Sequence, residues 1–403
     1  MKNLLKLTSI SLIATTAIYA GGYKIPETST NAVALGAANI AHNHNNADAA
    51  YYNPAKMIFM SNQNHIEADL MYIGLEKVKY KGTVHGTATD ESSQSEDFII
   101  PTLHYVSGAL GENGVRVGLS IVVPGGLSKR WNGKQGIQTA KEFTLEALEI
   151  NPTVAFKLSD TLGFAVGLRA VYSSGIVKSS AAISRDMNGD NLNIGYNFAV
   201  AYKPMKALEF GITYRSKVNL NEEGNAKLDI GNARVYDGGA SVSVPLPAAL
   251  NIAVAYTFES ATTIELVYEK TYWSAYKTLD FNYISPISPI LVPYFDNPIE
   301  KKWHDTNTFR LGLTQVFDNV TMMAGLVIDE SPIPNKTIGF ELPDTDSTAV
   351  SLGGRYKINE RVDAGLSVLY SIHKDRTVHN SSLNGEFSDG NILIVSAGLG
   401  YKF

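Results

Sequence analysis

Hydrophobic and polar residues alternate with period two along most of the chain. From Arg361 to Ser371, Val362, Ala364, Leu366, Val368 and Tyr370 share one face, and only Leu369 breaks the polar one. Leu162, Phe164, Val166, Leu168, Ala170 and Tyr172 alternate with Gly163, Ala165, Gly167 and Arg169, and Leu208, Phe210, Ile212 and Tyr214 with Glu209, Gly211, Thr213 and Arg215. This is strand spacing. No helical stripe of comparable length follows residue 60. Fourteen strands are predicted, starting near residues 64, 97, 113, 144, 161, 190, 206, 248, 261, 303, 318, 346, 360 and 388. Most are long enough to cross a bilayer when tilted.

The connections alternate in length. Short turns fall at Gly111–Gly114, Ser159–Asp160, Lys203–Lys206, Glu259–Ala261, Asp318–Asn319 and Lys357–Glu360, and long loops at Val78–Glu96, Asn221–Pro245 and Ser274–Lys302. An even strand number with one short-turn rim and one long-loop rim is the outer-membrane barrel pattern. Tyr105, Tyr172, Tyr202, Trp273, Tyr356 and Tyr401 fit its interfacial aromatic girdles. Leu393, Val395, Ala397, Leu399, Tyr401 and the terminal Phe403 share a face, as expected of a closing strand that the outer-membrane assembly machinery reads.

Composition sharpens this picture. The 403 residues carry 34 Lys and Arg against 39 Asp and Glu, a net charge of −5, which excludes a strongly basic nucleic-acid binder. There is no Cys, so no disulfide and no thiolate metal site. Charged residues are 18%, below the roughly 25% of soluble domains. Lys2 and Lys6 precede an uncharged run from Leu7 to Ala20, which reads as a signal peptide cleaved after Ala20. Residues 21–60, rich in Ala and Asn, do not alternate and read as short helices and turns. A fourteen-stranded barrel has a lumen wide enough to leak, so this segment is placed inside it as a hatch. The expected organisation is a signal peptide at 1–20, a mostly helical N-terminal hatch at 21–60 and an all-β, 14-stranded antiparallel outer-membrane β-barrel at 61–403.

Several blocks resemble the FadL family of outer-membrane transporters for long-chain fatty acids and other hydrophobic compounds, including the TodX-type aromatic-hydrocarbon channels. They are Gly22-Tyr23-Lys24-Ile25, Asn53-Pro54-Ala55, Pro124-Gly125-Gly126-Leu127, Ala170-Val171-Tyr172, Thr213 to Val218, Trp273-Ser274, Asp329 to Pro334 and Leu342-Pro343-Asp344. The resemblance implies a hatch ending at Asn53, Pro54 and Ala55, an apolar outer groove, an inner pocket against the hatch N-terminus, and a sideways exit where the third strand kinks. It implies a hydrophobic ligand, a long-chain fatty acid first and an aromatic hydrocarbon as the alternative, in a bacterial outer membrane among lipid and lipopolysaccharide. A general porin and a surface adhesin are the competing classes. The short connection Ser184 to Asp190 departs from the better-known fatty-acid members, in which it is long and helps form the groove.

The residues themselves supply the site candidates. Pro124 lacks an N–H for the ladder, and Gly125 and Gly126 tolerate unusual backbone angles. The ladder is predicted to break there, either as a lateral opening or as the end of the strand at the outer rim. Phe281, Tyr283, Ile287, Ile290, Leu291, Val292, Tyr294 and Phe295 lie in an uncharged loop, read as a replacement outer groove or as packing over the barrel mouth. By parity, with Tyr214 and Val218 facing lipid, Arg169, Arg215, Lys217 and Arg310 face the lumen. They are candidates for a ligand carboxylate or for ion pairs, with Glu209 and Glu265 as partners. No catalytic motif is present, so no enzyme is expected, and no cofactor. His42 and His44 near Asp48 are too few spaced ligands for a metal site.

Overall fold

The computed structural model describes residues 21–403; the expected signal peptide, residues 1–20, lies outside the described residues. Fourteen antiparallel strands close into a barrel. They are β1 (His65–Leu75), β2 (Glu96–Val106), β3 (Arg116–Lys129), β4 (Glu142–Lys157), β5 (Leu162–Ser179), β6 (Ile183–Met205), β7 (Leu208–Arg215 and Val218–Ile230), β8 (Ala233–Leu246 and Ala249–Thr257), β9 (Thr262–Thr271), β10 (Thr306–Val316), β11 (Val320–Asp329), β12 (Ser347–Lys357), β13 (Val362–His373) and β14 (Ile392–Lys402). β1 pairs with β14 from His65↔Lys402 to Leu75↔Ile392, and with β2 on its other side. Closure matters because each backbone group left unpaired in hydrocarbon costs several kcal/mol.

The alternation is inverted relative to a soluble protein. Leu70, Ile99, Leu192, Leu352 and Leu366 point outward and are exposed, whereas Glu67, Asp69, Glu149, Arg169, Glu265 and Arg310 point inward and are buried. Leu369, the residue that broke the polar face of its strand, is buried inside with Val33 of the hatch in one apolar cluster.

The strands outrun their predicted limits at the long-loop rim. The expected connection Ser184–Asp190 is strand, and so is most of the expected loop Asn221–Pro245; β7 and β8 turn at Gly231. The outward side chains there, Asp186, Asn188, Asp190, Glu223 and Lys227, are exposed. This stretch stands above the apolar band, so its alternation carries no hydrophobic signal. The expected loop Val78–Glu96 contains a hairpin, Val78–Val84 with Thr87–Ser92, which joins Arg376–His379 and Leu383–Asp389 in a four-stranded sheet.

The placement of Lys217 needs correction. Ser216 and Lys217 interrupt β7, and the register against β6 slips by one residue between Arg215↔Asn197 and Glu223↔Asp190. A one-residue slip exchanges the two faces. Val218 is therefore buried, and Lys217 is exposed rather than facing the lumen. Trp273 also departs from its expected place in a girdle: it is fully buried inside the molecule.

Residues 21–60 pack against the inner wall through two short helices, α1 (Thr30–Leu35) and α2 (Ala49–Tyr52), and a 3-10 turn at Pro54–Phe59. The Ser29 hydroxyl caps α1 by accepting from the Ala32 N–H at 3.1 Å, and α1 ends on Gly36 at φ 57°. Wall glycines allow the close approach. A Cβ on Gly211 would lie 2.6 Å from the Ile40 carbonyl oxygen, and one on Gly325 would lie 2.4 Å from the Leu35 carbonyl carbon.

Candidate ligand cavities and a window in the wall

The hatch is tied to the wall by polar contacts. Asn53 Nδ2 donates to the Ile40 carbonyl at 2.9 Å and to that of Val200 in β6 at 3.2 Å, while its Oδ1 accepts from the Ala55 N–H at 3.2 Å. Pro54 then opens the 3-10 turn, where its missing N–H costs nothing. The Glu265 carboxylate accepts from three successive hatch amides, Ile40 at 2.7 Å, Ala41 at 2.6 Å and His42 at 3.0 Å. Glu209 binds Lys56 and the His42 ring. His44 meets His42, and Asp48 accepts from Ser29, so the three residues considered for a metal are engaged in hatch packing.

Above the hatch lies a cavity between the wall and the outer loops. Its walls are mostly apolar and include Leu127, Val177, Met187, Leu279, Phe281 and Leu342, with Tyr23 and Trp303 among its aromatic residues. Such an apolar lining suits a small hydrophobic ligand. The rings of Tyr23 and Trp273 lie 4.7 Å apart edge to face, and those of Tyr276 and Trp303 lie 4.9 Å apart. Lys301 reaches this cavity but is paired with Glu341 at 2.5 Å. Burial works against the Glu341 charge, yet the Lys301 ammonium more than offsets it and leaves the carboxyl below its usual range.

A second cavity, about 610 Å³, is lined by Lys24, Ile25 and Pro26 of the hatch, by Tyr51 and Tyr52, and by Pro124 of β3. Arg169, Arg215 and Arg310 also line it, each with a carboxylate already beside it. Arg169 and Arg215 share Glu149, and Arg215 stacks 4.0 Å from the centre of the Tyr51 ring. Arg310 lies between Glu27 at 3.8 Å and Glu269 at 3.7 Å and donates to the Gly36 carbonyl at 2.9 Å. Glu149, Glu27 and Glu269 hold these cations, whereas Glu209 and Glu265 serve the hatch.

Beside these cavities the ladder of the wall is interrupted. β2 and β3 pair over only four residues, Leu103↔Ile121 to Val106↔Gly118. They meet again at the rim, at Ser93↔Trp131. Against β4, the register of β3 shifts between Val122 and Gly125. The freed backbone of β3 pairs with the hatch instead: Ile25 N–H donates to the Pro124 carbonyl and Gly126 N–H to the Tyr23 carbonyl, both at 2.9 Å. A Cβ on Gly125 would lie 2.7 Å from the Tyr23 oxygen, so this approach needs glycine. Pro124, Gly125 and Gly126 thus form a bulge within the wall, and the strand runs on to Lys129 rather than ending at Pro124.

The loop around residues 281–295 divides. Phe281, Ile287, Leu291 and Phe295 are buried, whereas Ile290 and Tyr294 are each 62% exposed. Tyr283 and Val292 are partly buried against the core, and among these eight residues only Phe281 lines the upper cavity. Sequence reasoning missed Tyr276, Trp303, Met187 and Glu222 of that cavity. Met187 lies in a stretch read as loop, and its inward parity was the signal available.

The family described as Outer membrane protein transport protein (OMPP1/FadL/TodX) matches residues 10–403. A long-chain fatty acid transport protein of Salmonella typhi is 22% identical over 98% of this chain and 97% of its own. Outer membrane protein P1 of Haemophilus influenzae is 22% identical over 92% of this chain and 90% of its own. Among solved structures, a Pseudomonas aeruginosa FadL homologue superposes with a TM-score of 0.83 at 19% identity, covering 95% of this chain and all of that one. The Ralstonia pickettii toluene transporter TbuX superposes at 0.72 with 16% identity, covering 93% and 98%. The closed barrel with its internal hatch, together with a family match over nearly the whole length, makes this chain a member of the OMPP1/FadL/TodX family of outer membrane transport proteins.

Proposed function

We propose that this chain carries long-chain fatty acids from the cell exterior into the outer membrane. The acid enters the upper cavity, passes Tyr23 and leaves sideways through the window between β2 and β3. The observation that carries the reading is the coincidence of an apolar cavity with an unpaired stretch of wall: Leu127 lines the first and belongs to the second. The energetics favour a lateral route. Each CH₂ withdrawn from water gains about 0.8 kcal/mol, so release into aqueous periplasm is uphill and release into lipid is not.

A second reading is transport of aromatic hydrocarbons. The ring cluster of Tyr23, Trp273, Tyr276 and Trp303 supports it, because such a cluster offers edge-to-face contacts to a flat ligand. Uptake of radiolabelled hexadecanoate and toluene, by cells lacking their own transporters and expressing this chain, separates the two. Fatty-acid transport requires hexadecanoate uptake above the vector control. Toluene uptake alone would establish the second reading in its place.

A further inference from the structure

The cations considered for a ligand carboxylate are committed elsewhere: Arg169, Arg215 and Arg310 are paired within the protein, and Lys217 faces outward. Arg185 differs. It lies on the extension of β6, two residues beyond Met187 on the same inward face, between Ser179 of β5 and Leu228 of β7. Its guanidinium carbon stands 4.2 Å from the centre of the Phe281 ring and 5.3 Å from that of Phe295. Nε and Nη1 are buried and have no hydrogen-bond partner among the described residues. The Tyr283 hydroxyl interacts favourably with it, but among the described residues no carboxylate lies beside it.

We infer that Arg185 receives the carboxylate of a single-chain amphiphile whose hydrocarbon chain occupies the upper cavity. This rests on the transport reading above and names the residue that would read the acid head group. Stacking on aromatic faces leaves the in-plane N–H groups of a guanidinium free, in the fork that matches a carboxylate. A buried cation without a counter-anion is costly, and a bound carboxylate offsets that cost. Phe281 stacks on Arg185, Met187 lies two residues along the same face of β6, and both line the cavity, so head site and chain site adjoin. The opposite orientation is disfavoured. Glu222 lines the cavity lower down, with both carboxyl oxygens buried and out of good hydrogen-bonding geometry, although Ser173 faces it. Arg185 pairs with Leu228, six residues along β7 from Glu222, which places this carboxylate about 20 Å down the strand from Arg185.

The test uses full-length protein in lipid nanodiscs. The probes are hexadecanoate and hexadecanol, each brominated at the far end of the chain, and the readout is quenching of Trp273 and Trp303. In Arg185→Gln, affinity for the acid is expected to fall at least about tenfold, while the alcohol stays within about twofold of wild type. Arg185→Lys keeps the charge without the planar fork; an intermediate acid affinity is expected, and this variant decides the matter if the Gln protein does not assemble. Equal losses for acid and alcohol, or wild-type acid affinity in the variant, would overturn the assignment while leaving the transport reading intact. Failure of the wild-type protein to bind either probe would overturn both.

Discussion

The Gly126 N–H in β3 donates to the Tyr23 carbonyl at 2.9 Å, so the first residues of the hatch act as a substitute strand for the wall. β3 turns away from β2 and satisfies its backbone on Tyr23 and Ile25. Tyr23 also lines the upper cavity, and Lys24 and Ile25 line the lower one. The same short segment therefore borders both cavities and the stretch of β3 left unpaired by β2.

Asn53 holds the other end of the hatch through three hydrogen bonds. Asn53→Ala leaves the Ile40 carbonyl and the Ala55 N–H without that side-chain partner, at about 1–3 kcal/mol for each buried group left unmade. The expected outcome is a lower urea midpoint for loss of the compact, heat-modifiable form, with added conductance in planar bilayers. A variant matching wild type in both would show that the hatch does not depend on this anchor.

Arg215 is paired with Glu149 and stacked on Tyr51. Arg215→Ala would remove one of the two cations on the buried Glu149 carboxylate, which keeps Arg169, so the cost is expected to stay below the about 3–5 kcal/mol of leaving a buried charge unpaired. Its effect on ligands is expected to be structural: hexadecanoate and hexadecanol should lose affinity equally. Selective loss of the acid would make Arg215 itself the carboxylate receptor.

Asp344, in the loop between β11 and β12, accepts from the Gly22 N–H at 3.3 Å. Burial, reinforced by the nearby Asp329 charge, pushes its carboxyl up from 3.8 to about 7. A carboxyl raised by folding contributes stability that is present at low pH and is lost as pH rises toward the folded value. Asp344→Asn should therefore gain on wild type between pH 5 and pH 8, read as the difference in urea midpoints. A difference that is constant with pH would show that Asp344 titrates normally.

Much of the barrel was legible because lipid and lumen impose opposite chemistry on alternate residues. Leu162 to Tyr172 and Val362 to Tyr370 each record both environments, and the strand starts follow from them. Where strands leave the membrane, the signal disappears: Arg185 and Met187 lie in a stretch whose outward residues are Asp and Asn, which reads as loop. Lys217 failed for a different reason. Parity extrapolates only along an uninterrupted strand, and the break at Ser216 is a register slip that alternation does not reveal. Pro124-Gly125-Gly126 was readable as a defect in the ladder. That the hatch pairs with it depends on contacts 99 and 103 residues apart in sequence, for which the chain has no local code.

Lateral exit depends on the interrupted ladder between β2 and β3, and restoring that ladder tests it directly. Replacing Pro124-Gly125-Gly126 with Thr-Val-Thr supplies the missing N–H and removes the room that Tyr23 requires beside Gly125. The measurement is the initial rate of hexadecanoate uptake by cells carrying an assembled, heat-modifiable variant barrel at wild-type abundance. Uptake at the level of the vector control is expected, with hexadecanoate still bound in the upper cavity. Uptake at the wild-type rate would contradict lateral exit between β2 and β3.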